Sequence, residues 1–274
     1  MENKNYKLPD GNIQISFSGG RTSAFMLHQI LEANNGLPDR AKVIFTNTGR
    51  EMNETLDFVQ ECSERWNVNI IWLEYDIVNG KVTFKEVNHN SASRDGEPFE
   101  KLIRKYKRLP NGLQRYCTGK LKIQTANNYL KTLQWKKWSN ALGIRHDEKH
   151  RAKTDFRDGF YPFYPLVENK DNIFSINKFW NLQNFKLNLP VIKGKTLMGN
   201  CDGCFLKSES HLATLFREYP SKARWWLDME KLTGKQFNRD RNLSNFNEFI
   251  TKQQDWVFDQ QGYFCQTNNG ECTG

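Results

Sequence analysis

Short apolar runs and longer amphipathic stretches alternate along the first 76 residues of the chain. The apolar runs at residues 13–17 and 42–46 predict two strands, and the stretch at residues 23–33 between them predicts a helix. A third apolar run at residues 70–73 has no polar interruption, which is typical of a strand buried on both faces of a parallel sheet. The order predicts a βαβαβ unit, and right-handed crossovers then place the carboxyl ends of its strands along one edge.

A second helix is predicted between the second and third strands. Its apolar positions recur at spacings of three and four, which puts them on one helix face: Leu56, Val59, Cys62 and Trp66. Asn53 stands where the N-cap of this helix is expected. Cys62 lies on the apolar face and is predicted to be a small core residue.

The periodicity weakens between about residues 78 and 115, where several basic side chains lie close together: Lys101, Arg104, Lys105, Lys107 and Arg108. We interpret this segment as a basic insertion that faces the substrate. Beyond it, residues 120–133 predict a helix and residues 138–144 a fourth strand, near which the sheet is expected to end. An N-capped helix is predicted from Ser175.

Composition and charge narrow the class of protein. The chain has 274 residues, with 40 Lys and Arg against 31 Asp and Glu, a formal net charge of +9, and 38% hydrophobic residues. That apolar fraction excludes intrinsic disorder as the main state. No stretch approaches 18 consecutive apolar residues and the N-terminal residues lack the apolar core of a signal peptide, so we expect a soluble, cytoplasmic protein that does not insert into a membrane. The basic balance favours an anionic partner, such as a nucleotide, a nucleic acid or a sulfate-bearing metabolite.

A glycine-containing loop directly follows the first predicted strand and precedes the first helix. It reads Ser16-Phe17-Ser18-Gly19-Gly20-Arg21-Thr22-Ser23. Such a junction points backbone amides and the positive end of the helix at one spot, and paired glycines let phosphate oxygens approach closely. We interpret the loop as a phosphate site; the alternative is a tight turn that only needs glycine backbone freedom. A Walker A motif is excluded because the loop has no Gly-Lys-Ser/Thr ending.

With this loop the sequence resembles the PP-loop adenine-nucleotide superfamily, whose loop reads Ser-Gly-Gly-x-Asp-Ser. It is most similar to the phosphoadenosine phosphosulfate (PAPS) reductase-like branch, which includes many phage proteins. Two later segments are similar to motifs of that family: Phe45-Thr46-Asn47-Thr48-Gly49 followed by Glu51 and Glu54-Thr55, and Gly143-Ile144-Arg145-His146-Asp147-Glu148 with Arg151. The motifs span about residues 13–204. The resemblance implies an α/β fold with a Rossmann-like, doubly wound and mainly parallel sheet.

The resemblance also implies a nucleotide site. ATP or PAPS is expected to be held by residues of the loop and of the two later motifs: Ser16, Ser18, Gly19, Gly20, Arg21, Thr22, Ser23, Asn47, Thr48 and Gly143. Thr22 stands where ATP-hydrolysing members have an aspartate, and a hydroxyl is a weaker Mg²⁺ partner than a carboxylate. We therefore expect adenine nucleotide binding, while ATP cleavage and a role for Mg²⁺ stay open.

Arg21 and Arg145 are predicted to act on the substrate. Forked guanidinium donors at a strand end suit phosphate or sulfate, and the alternative is that Arg145 and Arg151 pair with Asp147 and Glu148. The residues alone do not separate the two alternatives. The resemblance favours Arg145 as an anion contact.

Two units are predicted along the chain. Residues 1–155 are expected to form the PP-loop nucleotide-binding α/β domain, including the basic insertion. Residues 156–274 are expected to form a mostly helical C-terminal region that carries a cysteine-containing turn.

Six cysteines in a reducing compartment are not expected to form structural disulfides. Cys201 and Cys204 form a CxxC at a glycine-flanked turn, where both thiolates can reach one metal centre. Cys117 lies upstream, and Cys265 and Cys272 lie near the end of the chain. Spacing alone leaves three alternatives open, namely an iron–sulfur cluster, zinc and a redox dithiol.

The resemblance implies an iron–sulfur cluster of the 4Fe-4S type, as in adenylyl-sulfate reductases and phosphorothioation sulfurtransferases, on Cys117, Cys201, Cys204 and one terminal cysteine. The last five residues, GECTG, resemble the Glu-Cys-Gly ending of thiol-dependent PAPS reductases, in which the cysteine attacks the sulfonate sulfur. Cys272 is then either the nucleophile, with Cys265 as the fourth ligand, or itself the ligand. We prefer Cys272 as the ligand, because three cysteines need a fourth to close a four-coordinate site.

Two enzyme functions and one binding function fit these residues. The first is an enzyme that binds an adenine nucleotide and reduces or transfers sulfur, with a thiol reductant protein as a partner. The second is an ATP-dependent sulfurtransferase that modifies nucleic acid, and the third is a non-catalytic nucleotide- or iron-binding regulator. The basic insertion favours the second, and the absent loop aspartate favours the first. Six tryptophans near basic residues fit either base stacking or core packing: Trp135, Trp138, Trp180, Trp225, Trp226 and Trp256.

The loop interpretation predicts that Gly20→Val weakens nucleotide binding, because a β-branched side chain blocks the close approach of phosphate to the backbone. Calorimetric titration with ATP, AMP and PAPS measures the effect. An affinity equal to that of the wild type in a folded Gly20→Val protein would show that the loop is only a turn.

Overall fold

Six strands form one sheet in the computed structural model, which describes residues 4–156, 158–192 and 195–252. In chain order they are β1 (Ile13–Phe17), β2 (Ala41–Asn47), β3 (Ile70–Val78), β4 (Lys81–Val87), β5 (Trp138–Ala141) and β6 (Phe160–Phe163). Their order across the sheet is β4-β3-β2-β1-β5-β6. Only the β3–β4 pair is antiparallel within this sheet. The fold is therefore α/β with a mainly parallel sheet, as predicted.

Helices connect and follow these strands. They are α1 (Arg21–Asn34), α2 (Asn53–Arg65), α3 (Glu97–Tyr106), α4 (Thr125–Thr132), α5 (Pro165–Glu168), α6 (Ile173–Leu182), α7 (Glu209–Glu218), α8 (Pro220–Thr233) and α9 (Leu243–Lys252). A π-helical turn at Thr118–Gln124 runs directly into α4, and a short hairpin of β7 (Val191–Ile192) and β8 (Lys195–Thr196) precedes α7. The C-terminal part that the structure describes is mostly helical, as expected. Among all the residues that the structure describes, no helix has both the length and the apolar composition needed to cross a bilayer.

The parallel strands are buried on both faces. On β2, Val43 and Phe45 belong to the larger core cluster, whereas Ile44 between them belongs to a smaller cluster on the other face, with Leu130 of α4 and Phe160 of β6. Alternate side chains of a strand point to opposite faces, so both layers are needed to cover the sheet. The smaller layer lies on the side where α4 covers the sheet.

The direction of the strands determines which edge of the sheet carries the candidate site. β1 pairs in parallel with β2 on one side and with β5 on the other. The loops that follow Phe17, Asn47 and Ala141 consequently leave the sheet at the same edge, as the motif order predicts.

Three local expectations are corrected. The sheet does not end near residue 144, because β6 continues it beyond β5. β6 lies past residue 155, and the predicted division of the chain into two units at that residue stays a prediction. The N-cap position of α2 is Met52, with Asn53 as the first helical residue. The helix predicted from Ser175 begins at Ile173, because the Asn172 side chain accepts from the Phe174 and Ser175 amides in a capping box.

The segment at residues 78–115 is ordered as a strand and a helix. β4 extends the sheet by pairing in antiparallel with residues 72–78 of β3, and α3 follows it. The hydrophobic periodicity of this segment is weak because β4 is an edge strand with an exposed face, and such a strand needs few apolar side chains.

Candidate functional site

The glycine loop adopts the strand–turn–helix geometry that the sequence predicts. β1 ends at Phe17, and α1 begins at Arg21 with Gly20 at its N-cap. Gly19 has a φ of +75°, and a Cβ at this position would lie 2.7 Å from Thr55 Cγ2. Only glycine tolerates both conditions, so packing of the loop against α2 fixes its shape.

Hydroxyl groups within the loop bond to one another. Ser23 Oγ donates to the Gly20 carbonyl over 3.0 Å and accepts from the Ser18 amide over 3.1 Å. Since Ser23 has a single hydroxyl proton, the 2.9 Å contact between the two serine hydroxyls is donated by Ser18. Arg21 and Thr22 are buried at the start of α1. A phosphate contact by any of these groups stays a prediction.

A cleft of about 580 Å³ opens beside the loop, between the sheet and α4, and we call it the sheet cleft. Its lining includes four of the predicted residues, Ser16, Ser18, Ser23 and Gly143. The other lining residues were not predicted as site residues: Gln14, Phe17, Ile44, Thr46, Lys122, Ile123, Ala126, Asn127, Asn140, Leu142 and Phe160. The signal that could have found Gln14 and Asn140 is their polarity within buried strands.

The turn after β2 is held by its own side chains. Asn47 is fully buried and donates to Glu74 Oε1 over 2.6 Å and to the Ser93 carbonyl over 2.8 Å. Thr48 donates to Glu51 through both its amide and its hydroxyl. Burial raises the pKa of Glu74. Neither Asn47 nor Thr48 lines the sheet cleft, and their predicted contact with a nucleotide stays a prediction.

Three cysteines line a second cavity of about 360 Å³, which we call the thiol pocket. Cys117, Cys201 and Cys204 are each half-buried, and Cys201 Sγ lies 3.4 Å from Thr48 Oγ1. Cys265 and Cys272 lie outside the described residues. Within residues 4–156, 158–192 and 195–252, no group of three or more His, Cys, Asp or Glu side chains is arranged to hold a metal ion. The structure therefore brings together the three predicted thiols without assembling a metal site.

Cys62 is separate from this group. It is fully buried in the larger core cluster, and burial raises the pKa of its thiol. The prediction of a core residue is confirmed.

The π-helical turn connects the two cavities. Lys122 lines both the sheet cleft and the thiol pocket. Cys117 stands at the N-cap of the turn, and Leu121 and Lys122, four and five residues later, line the thiol pocket with it. A π-helix, whose hydrogen bonds span five residues, places such positions on one face. Sequence reasoning missed Lys122 because periodicity alone does not distinguish a π-turn from an α-helix.

A buried ion pair fixes the CxxC turn against the turn after β2. Arg50 Nη2 lies 2.7 Å from Asp202 Oδ2, and the two side chains are 3% and 0% exposed. Asp202 Oδ1 also accepts from Trp226 Nε1 and from the Gly203 amide, each over 2.7 Å. The Asp202 amide in turn donates to the Arg50 carbonyl over 2.8 Å. We call this arrangement the Arg50–Asp202 clamp.

Aromatic rings complete the clamp. The Arg50 guanidinium carbon lies 4.9 Å from the centre of the Trp225 ring. A Cβ at Gly203 would lie 2.3 Å from Trp226 Nε1, so only glycine lets this indole reach Asp202. Trp225 and Trp226 are thus core residues, as are Trp135, Trp138 and Trp180, all at most 9% exposed; Trp256 lies outside the described residues.

Arg145 is fully buried and paired with carboxylates. Its Nε and Nη2 contact the two carboxylate oxygens of Asp147 at 3.0 and 2.9 Å, and Glu148 lies 3.4 Å away. Arg151 pairs with Glu148 at 2.7 Å. The structure therefore contains the pairing that the sequence offered as the alternative, and an anion contact by Arg145 stays a prediction.

Comparison with known proteins adds three findings about the family. The model of the phosphoadenosine phosphosulfate reductase domain matches residues 12–159. The nin region protein ORF290 of Escherichia phage lambda is 28% identical over 202 residues, which are 71% of this chain and 66% of that protein. The phosphoadenosine 5'-phosphosulfate reductase of Vibrio parahaemolyticus is 28% identical over 169 residues, 59% of this chain and 56% of that protein.

One similar solved structure is the U34-tRNA thiolase NcsA of Methanococcus maripaludis with its [4Fe-4S] cluster. It has a TM-score of 0.41 and 13% identity, and the match covers 88% of this chain and 81% of that one. The chain spans between about half and two thirds of the length of the curated relatives it matches.

The clamp predicts a large loss of stability on Asp202→Ala. Removing the carboxylate leaves the Arg50 charge buried without its main partner, and the free energy of unfolding should fall by about 3–5 kcal/mol. Asp202→Asn keeps an acceptor for Trp226 and should lose less. Urea unfolding measures both variants.

The matched control is Glu218→Ala, which breaks the exposed Arg217–Glu218 pair and should change the free energy of unfolding by less than about 0.5 kcal/mol. Equal effects of Asp202→Ala and Glu218→Ala would contradict a structural role for the clamp.

Proposed function

The chain belongs to the phosphoadenosine phosphosulfate reductase domain family, whose model covers more than half of it. On this premise we propose that it is an enzyme that binds an adenine nucleotide or sulfonucleotide in the sheet cleft. The enzyme would then reduce or transfer sulfur at the thiol pocket. The observation that carries the proposal is that Lys122 lines both cavities. The two cavities are therefore neighbours, and we place the sulfur chemistry beside the bound nucleotide on this ground.

The loop end of the sheet cleft suits the phosphate groups of such a substrate. Ser18, Ser23 and Gly143 line this end, and the amides at the start of α1 carry the positive end of the helix dipole. The remaining loop residues Gly19, Gly20, Arg21 and Thr22 shape the loop or begin the helix. ATP and PAPS both offer the required anion, and Thr22 favours a reaction that does not depend on a carboxylate-bound Mg²⁺.

The two arginines are proposed to contact the anionic part of the substrate. Arg21 begins α1 directly behind the loop. Arg145 reaches the same sheet edge, and its partner Asp147 has a side chain that is 40% exposed. A bound phosphate or sulfate can therefore replace Asp147 on the guanidinium, while buried Glu148 continues to balance the charge.

The donor chemistry of the thiol pocket fits a sulfur-ligated metal centre. Three thiols line one cavity that is otherwise walled by Leu121, Phe205 and Leu206 among others, so water is partly excluded. We propose that Cys117, Cys201, Cys204 and Cys272 hold an iron–sulfur cluster, with zinc as the alternative metal and a dithiol of Cys201 and Cys204 as the metal-free alternative. Such a cluster supplies electron transfer or a sulfur-binding iron beside the substrate.

Lys122 and Arg115 give the thiol pocket its charge. Both side chains belong to its lining, together with the Thr48 hydroxyl. They are proposed to attract an anionic sulfur group, such as sulfite or a sulfonate, into the pocket. The clamp holds Cys201 beside Thr48 at the same time, so the reacting groups need little reorganisation.

Metal analysis of the purified protein tests the assignment of the cysteines. Single changes Cys117→Ser, Cys201→Ser, Cys204→Ser and Cys272→Ser should each lower the iron and acid-labile sulfide of protein purified without oxygen, because each removes one thiolate ligand. Cys62→Ser is the matched control and should leave the iron content unchanged. Full zinc occupancy in iron-replete, anaerobic preparations would contradict a cluster.

A nucleic-acid acceptor is the second candidate function, and the charge around the thiol pocket favours it. Residues 97–124 hold eight Lys or Arg and two Glu, so they carry +6 of the net charge of +9. Lys107 and Arg108 are exposed there, and none of the ion pairs among the described residues involves either of them. Arg108 also stacks on the Tyr116 ring at 4.9 Å, which orients it.

A salt titration tests this second candidate. We expect a tRNA or a single-stranded oligonucleotide to bind with an affinity that falls steeply with salt, and the double variant Lys107→Gln/Arg108→Gln to reduce the slope of log K against log salt by about 1.4. Lys235→Gln/Arg239→Gln removes the same charges from an exposed part of the C-terminal region and should lower affinity less. Equal losses in the two double variants would show that binding is non-specific attraction to a basic protein.

A further inference from the structure

A chain of hydrogen bonds crosses the floor of the sheet cleft between β1 and β5. Trp138 Nε1 donates to Gln14 Oε1 over 3.2 Å, Gln14 Nε2 donates to Ser16 Oγ over 3.2 Å, and Ser16 Oγ donates to Asn140 Oδ1 over 2.8 Å. The four residues belong to two neighbouring parallel strands, with Gln14 directly opposite Asn140 in the register. Gln14, Ser16 and Asn140 all line the cleft, and Asn140 is the last member of the chain.

The direction of this chain is fixed by its first member. An indole nitrogen can only donate, so the Gln14 carboxamide must turn its oxygen toward Trp138 and its nitrogen toward Ser16. The Ser16 oxygen then receives one hydrogen and gives its own to Asn140 Oδ1. Asn140 is left with its amide nitrogen as a donor. Among the described residues no acceptor for that nitrogen is found, and Asn140 lines the cleft.

The donor lies in a part of the cleft that has both polar and apolar walls, because Gln14 and Ser16 line the cleft beside Asn140. Ile44, Leu142 and Phe160 line the same cavity. Asn140 stands opposite Gln14 near the start of β1, whereas the glycine loop follows the end of that strand. A directed N–H donor beside aliphatic and aromatic side chains suits a flat heteroaromatic ring that carries an unprotonated ring nitrogen. A sugar or phosphate group would instead favour the loop end, where hydroxyl groups and backbone amides are concentrated.

We propose that Asn140 determines base specificity by donating a hydrogen bond to a ring nitrogen of the nucleotide base. The inference rests on the proposed nucleotide-binding function and adds to it the residue that distinguishes the base from the rest of the ligand. Gln14 and Ser16 also line the cleft, and we treat them as positioning residues because their hydrogen bonds within the chain orient the Asn140 carboxamide.

Calorimetric titration with AMP and with ribose 5-phosphate tests the proposal. Asn140→Asp keeps the shape of the side chain but turns the donor into an acceptor, so AMP affinity should fall about tenfold or more. Ribose 5-phosphate lacks the base, and its affinity should stay within about twofold of the wild-type value. Asn140→Leu removes the donor without adding a charge and should give the same selective loss if the aspartate variant does not fold.

Two further variants separate orientation from general damage. Ser16→Ala breaks the chain upstream of Asn140 and should weaken AMP binding less than Asn140→Asp does. Asn128→Asp makes the same chemical change on α4, at a half-buried residue outside the cleft lining, and should leave both affinities unchanged. Thermal unfolding of each variant shows whether it is folded.

The outcomes distinguish this inference from the proposed function. If the wild type binds neither AMP nor ribose 5-phosphate, the nucleotide-binding function and the inference both fail. If the wild type binds AMP and Asn140→Asp and Asn140→Leu bind it equally well, only the inference fails. A loss of AMP and ribose 5-phosphate affinity to the same degree would also overturn it, because the side chain would then not act on the base.

Discussion

The buried ion pair between Arg50 and Asp202 is the interaction on which the thiol pocket depends. It joins the turn after β2 to a turn about 150 positions later in the chain, and both charges are removed from water. A buried pair of this kind is costly to form unless other hydrogen bonds satisfy it, and here Trp226 and the Gly203 amide complete the set. The consequence is that the CxxC has one position relative to the sheet, with Cys201 beside Thr48.

The sheet contributes the second constraint, because parallel strands place their following loops at one edge. The glycine loop after β1 and Gly143 after β5 meet at the sheet cleft for this reason. Polar side chains on buried strands are otherwise unfavourable. Gln14, Ser16 and Asn140 are tolerated because they hydrogen-bond to one another and because all three line the cleft.

The π-helical turn relates the two cavities to each other. Cys117 caps this turn and Lys122 belongs to it. One short segment therefore carries a thiol of the thiol pocket and the lysine that lines both the thiol pocket and the sheet cleft. A regular α-helix repeats every 3.6 residues and would turn positions five apart away from each other. The irregular backbone is thus placed where the two halves of the proposed reaction meet, as π-turns often are.

The sequence by itself determined the local elements and the identity of the motif residues. The apolar runs of β1, β2 and β3, the glycine loop, the core role of Cys62 and the CxxC all follow from spacing within a few residues, which is the range over which helix and strand periodicity acts. Tertiary structure alone decided β6, the pairing of Arg145 with Asp147, the clamp between Arg50 and Asp202, and the chain that ends at Asn140. Most of these features join residues from distant parts of the chain. Such contacts produce no periodic pattern in the sequence, because they depend on how whole helices and strands pack against one another.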